Sequence, residues 1–219
     1  MKEPYPDDPP WLRRRLEMVE QQIRRRGIHD ERILTVMSRI PRHLFVPSEL
    51  QKQAYDDQPL PIGYGQTISQ PYIVALMTEL VQPHPSDRAL EIGTGCGYQT
   101  AVLSELVQEV YGLEIIEPLA KLARTHLRLS GHSNTEIRLG DGYQGWKEHA
   151  PFQIIMVAAA PDHIPQPLLD QLGPGGRMVI PIGQSSQQLL LVEKSQDGSI
   201  DRRQIAPVAF VPMTGTCME

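Results

Sequence analysis

The first part of the chain places apolar residues at intervals of three and four, which is the spacing of an amphipathic helix. One such face runs through the segment 12–26 and consists of Leu12, Leu16, Val19 and Ile23. We therefore predict a helix over 12–26 that ends at Gly27, and a second helix over 30–39. Prolines at positions 41 and 47 then interrupt the pattern, so the chain up to about residue 58 is predicted to form a helical cap.

From residue 83 onward, short apolar runs alternate with amphipathic segments. The apolar runs predict strands at 89–92, 110–113, 136–139, 152–157, 177–180, 187–194 and 202–211. The segments between them predict helices at 98–106, 117–130 and 165–172. Buried strands that alternate with helices indicate an α/β fold with a doubly wound, mostly parallel sheet. The last two strands flank an Asp-Gly-Ser turn at 197–199 and predict a C-terminal antiparallel hairpin.

These patterns divide the chain into three segments. We expect a flexible, Pro- and Asp-rich lead-in at 1–10 and a helical cap with a glycine-rich loop at 11–82. The α/β core follows at 83–219 and forms one structural unit with the cap. A length of 219 residues allows one large domain or two small ones.

Composition and charge narrow the classes of protein. Hydrophobic residues make up 40% and charged residues 21%, as in an ordinary globular protein. Two cysteines cannot build a disulfide framework, nor a structural zinc site without several histidine partners. The N-terminus lacks an apolar core and no apolar run approaches about 18 residues, so we expect a cytoplasmic protein with no membrane contact. A net charge of −5 argues against nucleic acid. The arginine triplets at 13–15 and 24–26 fit a solvated helix face, with a basic arm as the alternative.

The first strand of the core runs into a glycine turn with the sequence Glu-Ile-Gly-Thr-Gly-Cys-Gly at 91–97. Glycines at a strand-to-helix turn let a ligand approach the backbone, but the spacing differs from that of nicotinamide dehydrogenases. A carboxylate at Glu91 would repel a pyrophosphate and suits a cationic amino-acid ligand. S-adenosylmethionine carries such cations, so the turn favours it, while a tight turn without any ligand remains open.

Two further carboxylates follow neighbouring strands. Glu114 ends the second strand, 21 residues after Gly93, where it could accept hydrogen bonds from ribose hydroxyls. Asp141 ends the third strand, where it could accept from an adenine amino group, and Gly142 leaves room for a flat ring. Because ligands of open α/β sheets lie at the carboxyl ends of strands, the three strand ends together predict one adenosyl cofactor.

Several motifs, in order along the chain, resemble the protein-L-isoaspartate(D-aspartate) O-methyltransferase family. They are Leu-Pro-Ile-Gly-Tyr-Gly-Gln-Thr-Ile-Ser-Gln-Pro at 60–71, Leu-Glu-Ile-Gly-Thr-Gly-Cys-Gly-Tyr-Gln-Thr-Ala at 90–101, Gly-Asp-Gly at 140–142, Ala-Ala-Ala-Pro at 158–161, Gln-Leu-Gly-Pro-Gly-Gly-Arg at 171–177 and Phe-Val-Pro at 210–212. The Gln-Thr-Ile-Ser stretch is the specific part, and the resemblance covers roughly 12–214. Cys96 stands where Ser is commoner, and the tail at 213–219 is less similar.

The resemblance implies a Rossmann-like fold and a protein-repair activity. The family transfers a methyl group from S-adenosylmethionine to the α-carboxylate of L-isoaspartyl residues in damaged proteins and releases S-adenosylhomocysteine. It implies that 60–71 is an active-site loop and that Ser69 is the catalytic residue. The implied cofactor contacts are Gln66, Thr67, Ile68, Glu91, Gly93, Thr94, Gly95, Glu114, Ile115, Asp141, Gly142 and Thr214. The candidate substrate contacts are Ile62, Tyr72, Ala159 and Val211.

The chemistry of this reaction agrees with what the sequence lacks. A carboxylate has a reference pKa of about 4, so it is ionised at neutral pH and its methylation by direct displacement needs no general base. The sequence offers no Ser-His-Asp set and no metal cluster, and we expect neither a metal nor a nucleic-acid partner. We expect a monomer whose partners are isoaspartyl proteins and peptides. The alternatives are a methyltransferase for a small-molecule oxygen acceptor and a non-catalytic cofactor-binding domain.

Overall fold

The computed structural model describes residues 9–215, and in it the cap begins with the predicted helices. Helix α1 (Pro9–Met18) continues through a π turn and a 3-10 turn to Arg26, and Gly27 ends it with a φ of 98°. The lead-in expected at 1–10 lies mostly outside the described residues, and its last two residues belong to α1. Helix α2 (Glu31–Arg39) begins at Asp30, whose side chain accepts a hydrogen bond from the Arg32 backbone N–H.

The segment between cap and core contains elements that the hydrophobic pattern does not predict. Strands β1 (Leu60–Gly63) and β2 (Gln66–Ile68) form a small antiparallel hairpin, and helix α3 (Pro71–Leu80) follows. The turn at the tip of the hairpin has positive φ at Gly63, Tyr64 and Gly65. Pro71 occupies the first position of α3, where a missing backbone N–H costs nothing.

The core is a seven-stranded sheet with the predicted architecture. Its strands are β3 (Arg88–Ile92), β4 (Glu109–Glu114), β5 (Thr135–Leu139), β6 (Phe152–Val157), β7 (Leu172–Ile182), β8 (Gln187–Lys194) and β9 (Ile200–Val208). The order β5-β4-β3-β6-β7-β8-β9 is parallel from β5 to β7 and antiparallel from β7 to β9. The helices between strands are α4 (Tyr98–Ser104), α5 (Glu117–Leu129) and α6 (Gln166–Gln171). Strand β7 is longer than predicted because it begins at Leu172, which pairs with Phe152 of β6, and ends at Ile182, which pairs with Gln188 of β8; the register with β6 shifts between Leu172 and Arg177, where the glycines lie.

Alternate residues of the strands fill two separate cores. Ala89 and Ile154 belong to the larger core, which includes the cap, α4 and α5. Leu90 and Ile155 belong to the smaller core on the other face, which includes α6. The cap therefore packs on one face of the sheet and continues its core. Within residues 9–215, no helix is both long and apolar enough to cross a membrane.

Two glycines with positive φ allow a matched test of the packing at α4. A Cβ at Gly97, which has a φ of 88°, would lie 3.3 Å from the Ala123 Cα, whereas a Cβ at Gly131, with a φ of 75°, meets nothing within 4 Å. We expect Gly131→Ala to lower the free energy of unfolding by about 1–2 kcal/mol through backbone strain alone. We expect Gly97→Ala to lower it by about 1 kcal/mol more, because the neighbouring backbone must shift. Urea unfolding of both variants measures the difference, and equal losses would contradict this packing.

Candidate functional site

The glycine turn after β3 is fixed by a carboxylate from the adjacent strand. Glu114, the last residue of β4, accepts hydrogen bonds from the Gly95 N–H at 2.8 Å and the Ile116 N–H at 3.0 Å. The Gly93 N–H donates to the Leu113 carbonyl at 2.8 Å. The turn and the end of β4 are therefore held as one rigid wall, with the carboxylate of Glu114 buried in it.

This wall borders a cavity at the carboxyl ends of β3, β4 and β6, with about 830 Å³ of space when its open mouth is included. Most of the residues expected to bind cofactor or substrate line it, although they come from distant parts of the chain. They are Gln66, Thr67, Ile68, Ser69, Glu91, Gly93, Thr94, Gly95, Glu114, Ile115, Gly142, Ala159, Val211 and Thr214. The position of the cavity agrees with the rule that ligands bind at the carboxyl ends of strands.

Glu91 is the most deeply buried acid of the cavity, with no exposed surface. Its Oε2 accepts a hydrogen bond of 2.6 Å from the Thr100 hydroxyl. The pKa of Glu91 is raised from its ordinary value of 4.5 to about 8: burial is the main cause, the hydrogen bond from Thr100 opposes it, and the nearby charge of Glu114 adds to it. A cation bound beside Glu91 would favour the ionised carboxylate.

Unpartnered polar atoms mark the buried end of the cavity as a place for a polar ligand. Within residues 9–215, Glu91 Oε1, the Thr94 hydroxyl and the Tyr98 hydroxyl are buried without a hydrogen-bond partner. All three residues line the cavity. Because buried polar groups are normally paired, a ligand that carries donors and a positive charge fits this set. The ammonium group of S-adenosylmethionine has that character.

Ser69 follows β2 directly and lies between two hollows. It lines the cavity described above, and it also lines an open groove of about 1000 Å³. Apart from Thr67, Ser69 and Gln70, the residues of this groove are apolar: Pro59, Ile73, Ala158, Pro207, Val208, Ala209, Phe210 and Val211. Within the described part of the chain, no side chain or backbone group bonds to the Ser69 hydroxyl. A hydroxyl at this junction is available to a bound molecule.

The wall opposite the glycine turn comes from the end of the described chain. The Ala160 N–H donates to the Val211 carbonyl, and the Met213 N–H donates to the Ala160 carbonyl, both at 2.8 Å. This short parallel bridge holds the segment 211–214 against the end of β6. Val211 and Thr214 reach the cavity for this reason.

Three expected site residues do not line the cavity or the groove. Ile62 is buried beneath the glycine turn, where its Cδ1 would lie 3.1 Å from a Cβ at Gly95. The Tyr72 ring packs under the Arg26 guanidinium, whose Cζ lies 3.6 Å from the ring centroid. Both residues make packing contacts in the structure, and their substrate role stays a prediction.

Asp141 lies behind the cavity wall, although its neighbours Gly140 and Gly142 line it. Its Oδ1 accepts a hydrogen bond of 2.9 Å from the Tyr143 N–H. A Cβ at Gly142 would collide with Ile92 and Met213, so this glycine is needed for packing as well. Recognition of adenine by Asp141 stays a prediction.

Sequence reasoning missed the residues that support the site from behind. Thr100 bonds to Glu91, and its position nine residues later, one turn into α4, is a spacing that could have suggested the contact. Arg42 donates to the Ser69 carbonyl at 2.7 Å. A lone arginine in the apolar stretch Ile-Pro-Arg-His-Leu-Phe-Val at 40–46 was the available signal.

Comparison with known proteins gives a consistent result. The family model for protein-L-isoaspartate(D-aspartate) O-methyltransferase matches residues 13–218. The chain is 58% identical over 188 residues to protein-L-isoaspartate O-methyltransferase 2 of Polaromonas sp. strain JS666, which covers 85% of this chain and 89% of that protein. It is 52% identical over 221 residues to protein-L-isoaspartate O-methyltransferase of a Synechococcus strain, with 96% of this chain and 90% of the relative covered.

Solved structures agree with the sequence comparisons. A protein-L-isoaspartate O-methyltransferase superposes with a TM-score of 0.83 at 28% identity, covering 92% of this chain and 67% of the other. A putative protein-L-isoaspartate O-methyltransferase of Plasmodium falciparum, in complex with S-adenosyl-L-homocysteine, gives a TM-score of 0.80 at 26% identity, covering 91% of this chain and 98% of the other.

The clamp made by Glu114 predicts a loss of cofactor affinity in Glu114→Gln. In this variant the side-chain NH2 of the new glutamine would replace one of the two carboxylate oxygens and would face a backbone N–H, either that of Gly95 or that of Ile116. Two donors cannot bond to each other, so one hydrogen bond is lost and the glycine turn shifts. We expect the Kd for S-adenosylhomocysteine to rise at least about tenfold, which corresponds to the loss of about one such bond. Calorimetry measures it, with Glu117→Gln, which removes an exposed partner of Lys121, as the control. An unchanged Kd in Glu114→Gln would refute the clamp.

The raised pKa of Glu91 predicts a pH-dependent stability of the unliganded protein. The unfolded chain loses this proton near its ordinary pKa of 4.5, whereas the folded protein keeps it up to about 8. The folded state thus binds more protons between these values, so its stability falls as the pH rises through them. Glu91→Gln stays neutral, and its melting temperature should exceed that of the wild type by a margin that grows from about pH 5 to about pH 8. A margin independent of pH would show that burial does not hold the proton.

Proposed function

The chain belongs to the protein-L-isoaspartate(D-aspartate) O-methyltransferase family, and on that premise we propose how its site performs the family's reaction. The protein is a repair enzyme that transfers a methyl group from S-adenosylmethionine to isoaspartyl residues of damaged proteins and peptides. We propose that the transfer is a direct displacement in which Ser69 orients the acceptor and no residue acts as a general base.

The observation that carries this proposal is the position of Ser69 at the boundary between the cavity and the groove. Four residues line both hollows, namely Thr67, Ser69, Ala158 and Val211, so a cofactor in the cavity and a peptide in the groove would meet beside Ser69. The groove is lined mostly by apolar residues and opens to the surface, which suits a segment of a polypeptide. The Ser69 hydroxyl donates to the carboxylate of the acceptor and aims one of its oxygens at the methyl carbon.

The cavity holds the cofactor through residues from three strand ends. Glu91 would hold the ammonium group, and Gly93, Thr94 and Gly95 would border the methionine part, since all four line the cavity. Glu114 would accept from the ribose hydroxyls with the lone pairs that its two backbone bonds leave free, and Ile115 and Gly142 would border the adenine. Gln66, Thr67 and Ile68 would contact the cofactor from the side of the hairpin, and Thr214 from the segment 211–214.

The reaction needs alignment more than proton transfer. When bound, S-adenosylmethionine supplies an electrophilic methyl group and leaves as S-adenosylhomocysteine. The carboxylate oxygen forms the new bond to carbon while the electron pair of the broken bond stays on sulfur, so no proton moves. An anion and a cation become neutral, and a water-poor cavity favours that change. Exclusion of water is the contribution of the apolar wall, including Ile92, Leu113 and Val211.

The arginine triplets support the proposal that nucleic acid is not a partner. Arg24 forms ion pairs with Glu20 and Glu31, Arg26 with Asp57, and Arg15 is buried with its Nε donating to the Ser38 carbonyl. Together with the ion pair of Arg14 and Asp56, these contacts engage four of the six arginines, which leaves fewer of them for phosphates. We propose further that the enzyme works as a monomer in the cytoplasm, where a reducing environment suits the free thiol of Cys96.

A pair of short peptides that differ only in isoaspartate against aspartate at one position tests the acceptor. With labelled S-adenosylmethionine, we expect base-labile methyl ester on the isoaspartyl peptide alone. Ser69→Ala should lower kcat about 100-fold, because the acceptor carboxylate loses its positioning donor. The Kd for S-adenosylhomocysteine should change less than about twofold, because the glycine turn is untouched.

Ser48→Ala, a substitution of an exposed serine outside both hollows, is the matched control and should behave like the wild type. An equal collapse of cofactor affinity in Ser69→Ala would make Ser69 a structural residue of the loop. Bound cofactor without transfer to either peptide would point to a different oxygen acceptor.

A further inference from the structure

Arg42 is a charged side chain in the interior of the cap. It lies in the 3-10 turn Arg42–Phe45, between α2 and the hairpin, and has no exposed surface. Its neighbours Ile40, Phe45 and Val46 belong to the hydrophobic core. A cation in such surroundings is expensive unless an anion compensates it.

The hydrogen bonds of Arg42 go to neutral groups. Nε donates to the Ala54 carbonyl and Nη2 to the Ser69 carbonyl, both at 2.7 Å. Nη1 is buried without a partner, and no carboxylate of residues 9–215 forms an ion pair with this side chain. Burial lowers the pKa of Arg42 from its ordinary value of 12.5, but a guanidinium remains charged in proteins. The interior therefore contains a positive charge that the described residues do not neutralise.

This charge lies immediately behind the wall of the site. The Arg42 Cζ is 5.0 Å from the centroid of the Tyr98 ring, and Tyr98 and Ser69 both line the cavity. The ionisable groups that act on Arg42 are Tyr98, Cys96 and Tyr55, and burial raises the pKa of all three, that of the Cys96 thiol to about 11, so they stay neutral at ordinary pH. An anion that enters beside Ser69 would bring a compensating charge to Arg42.

We infer that Arg42 is a positioning residue that fixes Ser69 through its carbonyl and makes the site select an acceptor that carries a carboxylate. This inference rests on the proposed role of Ser69. A guanidinium in direct contact would occupy the lone pairs of the attacking oxygen and weaken it as a nucleophile. A guanidinium behind the wall attracts the carboxylate through the poorly screened interior and leaves its oxygens free.

Two variants separate the charge from the hydrogen bonds. Arg42→Lys cannot bond to both carbonyls, so we expect kcat to fall about tenfold; because burial lowers the pKa of a lysine amine, the selection of carboxylate should be kept only at pH values at which that amine is still protonated. Arg42→Met removes both, so we expect the same fall in kcat together with a KM for the isoaspartyl peptide raised at least about tenfold. Arg39→Met, which removes an exposed arginine of α2, is the control and should match the wild type.

The decisive measurement compares the KM of the isoaspartyl peptide with the inhibition constant of its isoasparaginyl counterpart, a neutral amide without an ionised acceptor oxygen. The wild type should prefer the carboxylate at least about tenfold, and Arg42→Met should lose that preference. The Kd for S-adenosylhomocysteine should stay within about threefold in all variants, which separates this effect from damage to the cofactor cavity. Arg42→Met that keeps both kcat and the preference would overturn the inference.

The wild type provides a test that does not depend on the folding of a variant. Raising the salt concentration from about 0.1 M to about 1 M shortens the screening length from about 10 Å to about 3 Å and removes the effect of surface charges. A preference produced by the buried Arg42 should survive this change, and its disappearance would assign the selection to the surface and overturn the inference. If the wild type methylates no isoaspartyl peptide at all, the proposed function fails; if only the Arg42 results fail, it stands.

Discussion

The site depends on the contact between the Glu114 carboxylate and the backbone of the glycine turn. Residues of the turn have positive φ at Gly93, Gly95 and Gly97, a geometry that the backbone does not hold by itself. A buried carboxylate that accepts hydrogen bonds from two backbone N–H groups is held in one position, and the same two bonds hold the backbone of the turn. The same side chain borders the cavity, so the group that shapes the wall is also the group offered to the ligand.

Acidic and basic side chains lie on different sides of the site. The acids Glu91 and Glu114 are at the strand ends, where a cationic cofactor binds, and the buried cation Arg42 is behind the hairpin that carries Ser69. The reaction brings a sulfonium and a carboxylate together and turns both into neutral groups. The protein presents an opposite charge to each reactant, from a different side of the site. The two reactants are therefore held next to each other and shielded from water. The unpartnered atoms on Glu91, Thr94, Tyr98 and Arg42 are thus the cost of a site built for charged ligands.

The sequence was informative where a residue's environment follows from local pattern. The buried run at 152–157 is β6 to the residue, because a strand covered on both faces is apolar throughout. The hairpin of β1 and β2 was not predicted, since a proline and glycines interrupt its short strands and only pairing defines it. The alternation of apolar and polar residues in β1 does not show that Ile62 lies under the glycine turn, and the sequence around Arg42 does not show that its side chain bonds to the carbonyl of residue 69. Both contacts join residues that only the tertiary structure brings together.

The bridge between Ala160 and the segment after Val211 has a consequence for synthesis of the enzyme on the ribosome. The glycine turn and the strands that carry Glu91 and Glu114 leave the ribosome long before residues 211–214, yet those last residues form the opposite wall. A nascent chain therefore has half a cavity until its final strand pairs have formed. Binding of the cofactor therefore requires that the whole α/β unit has folded. Because the cofactor binds only to this folded state, its presence stabilises the complete fold relative to incompletely folded chains.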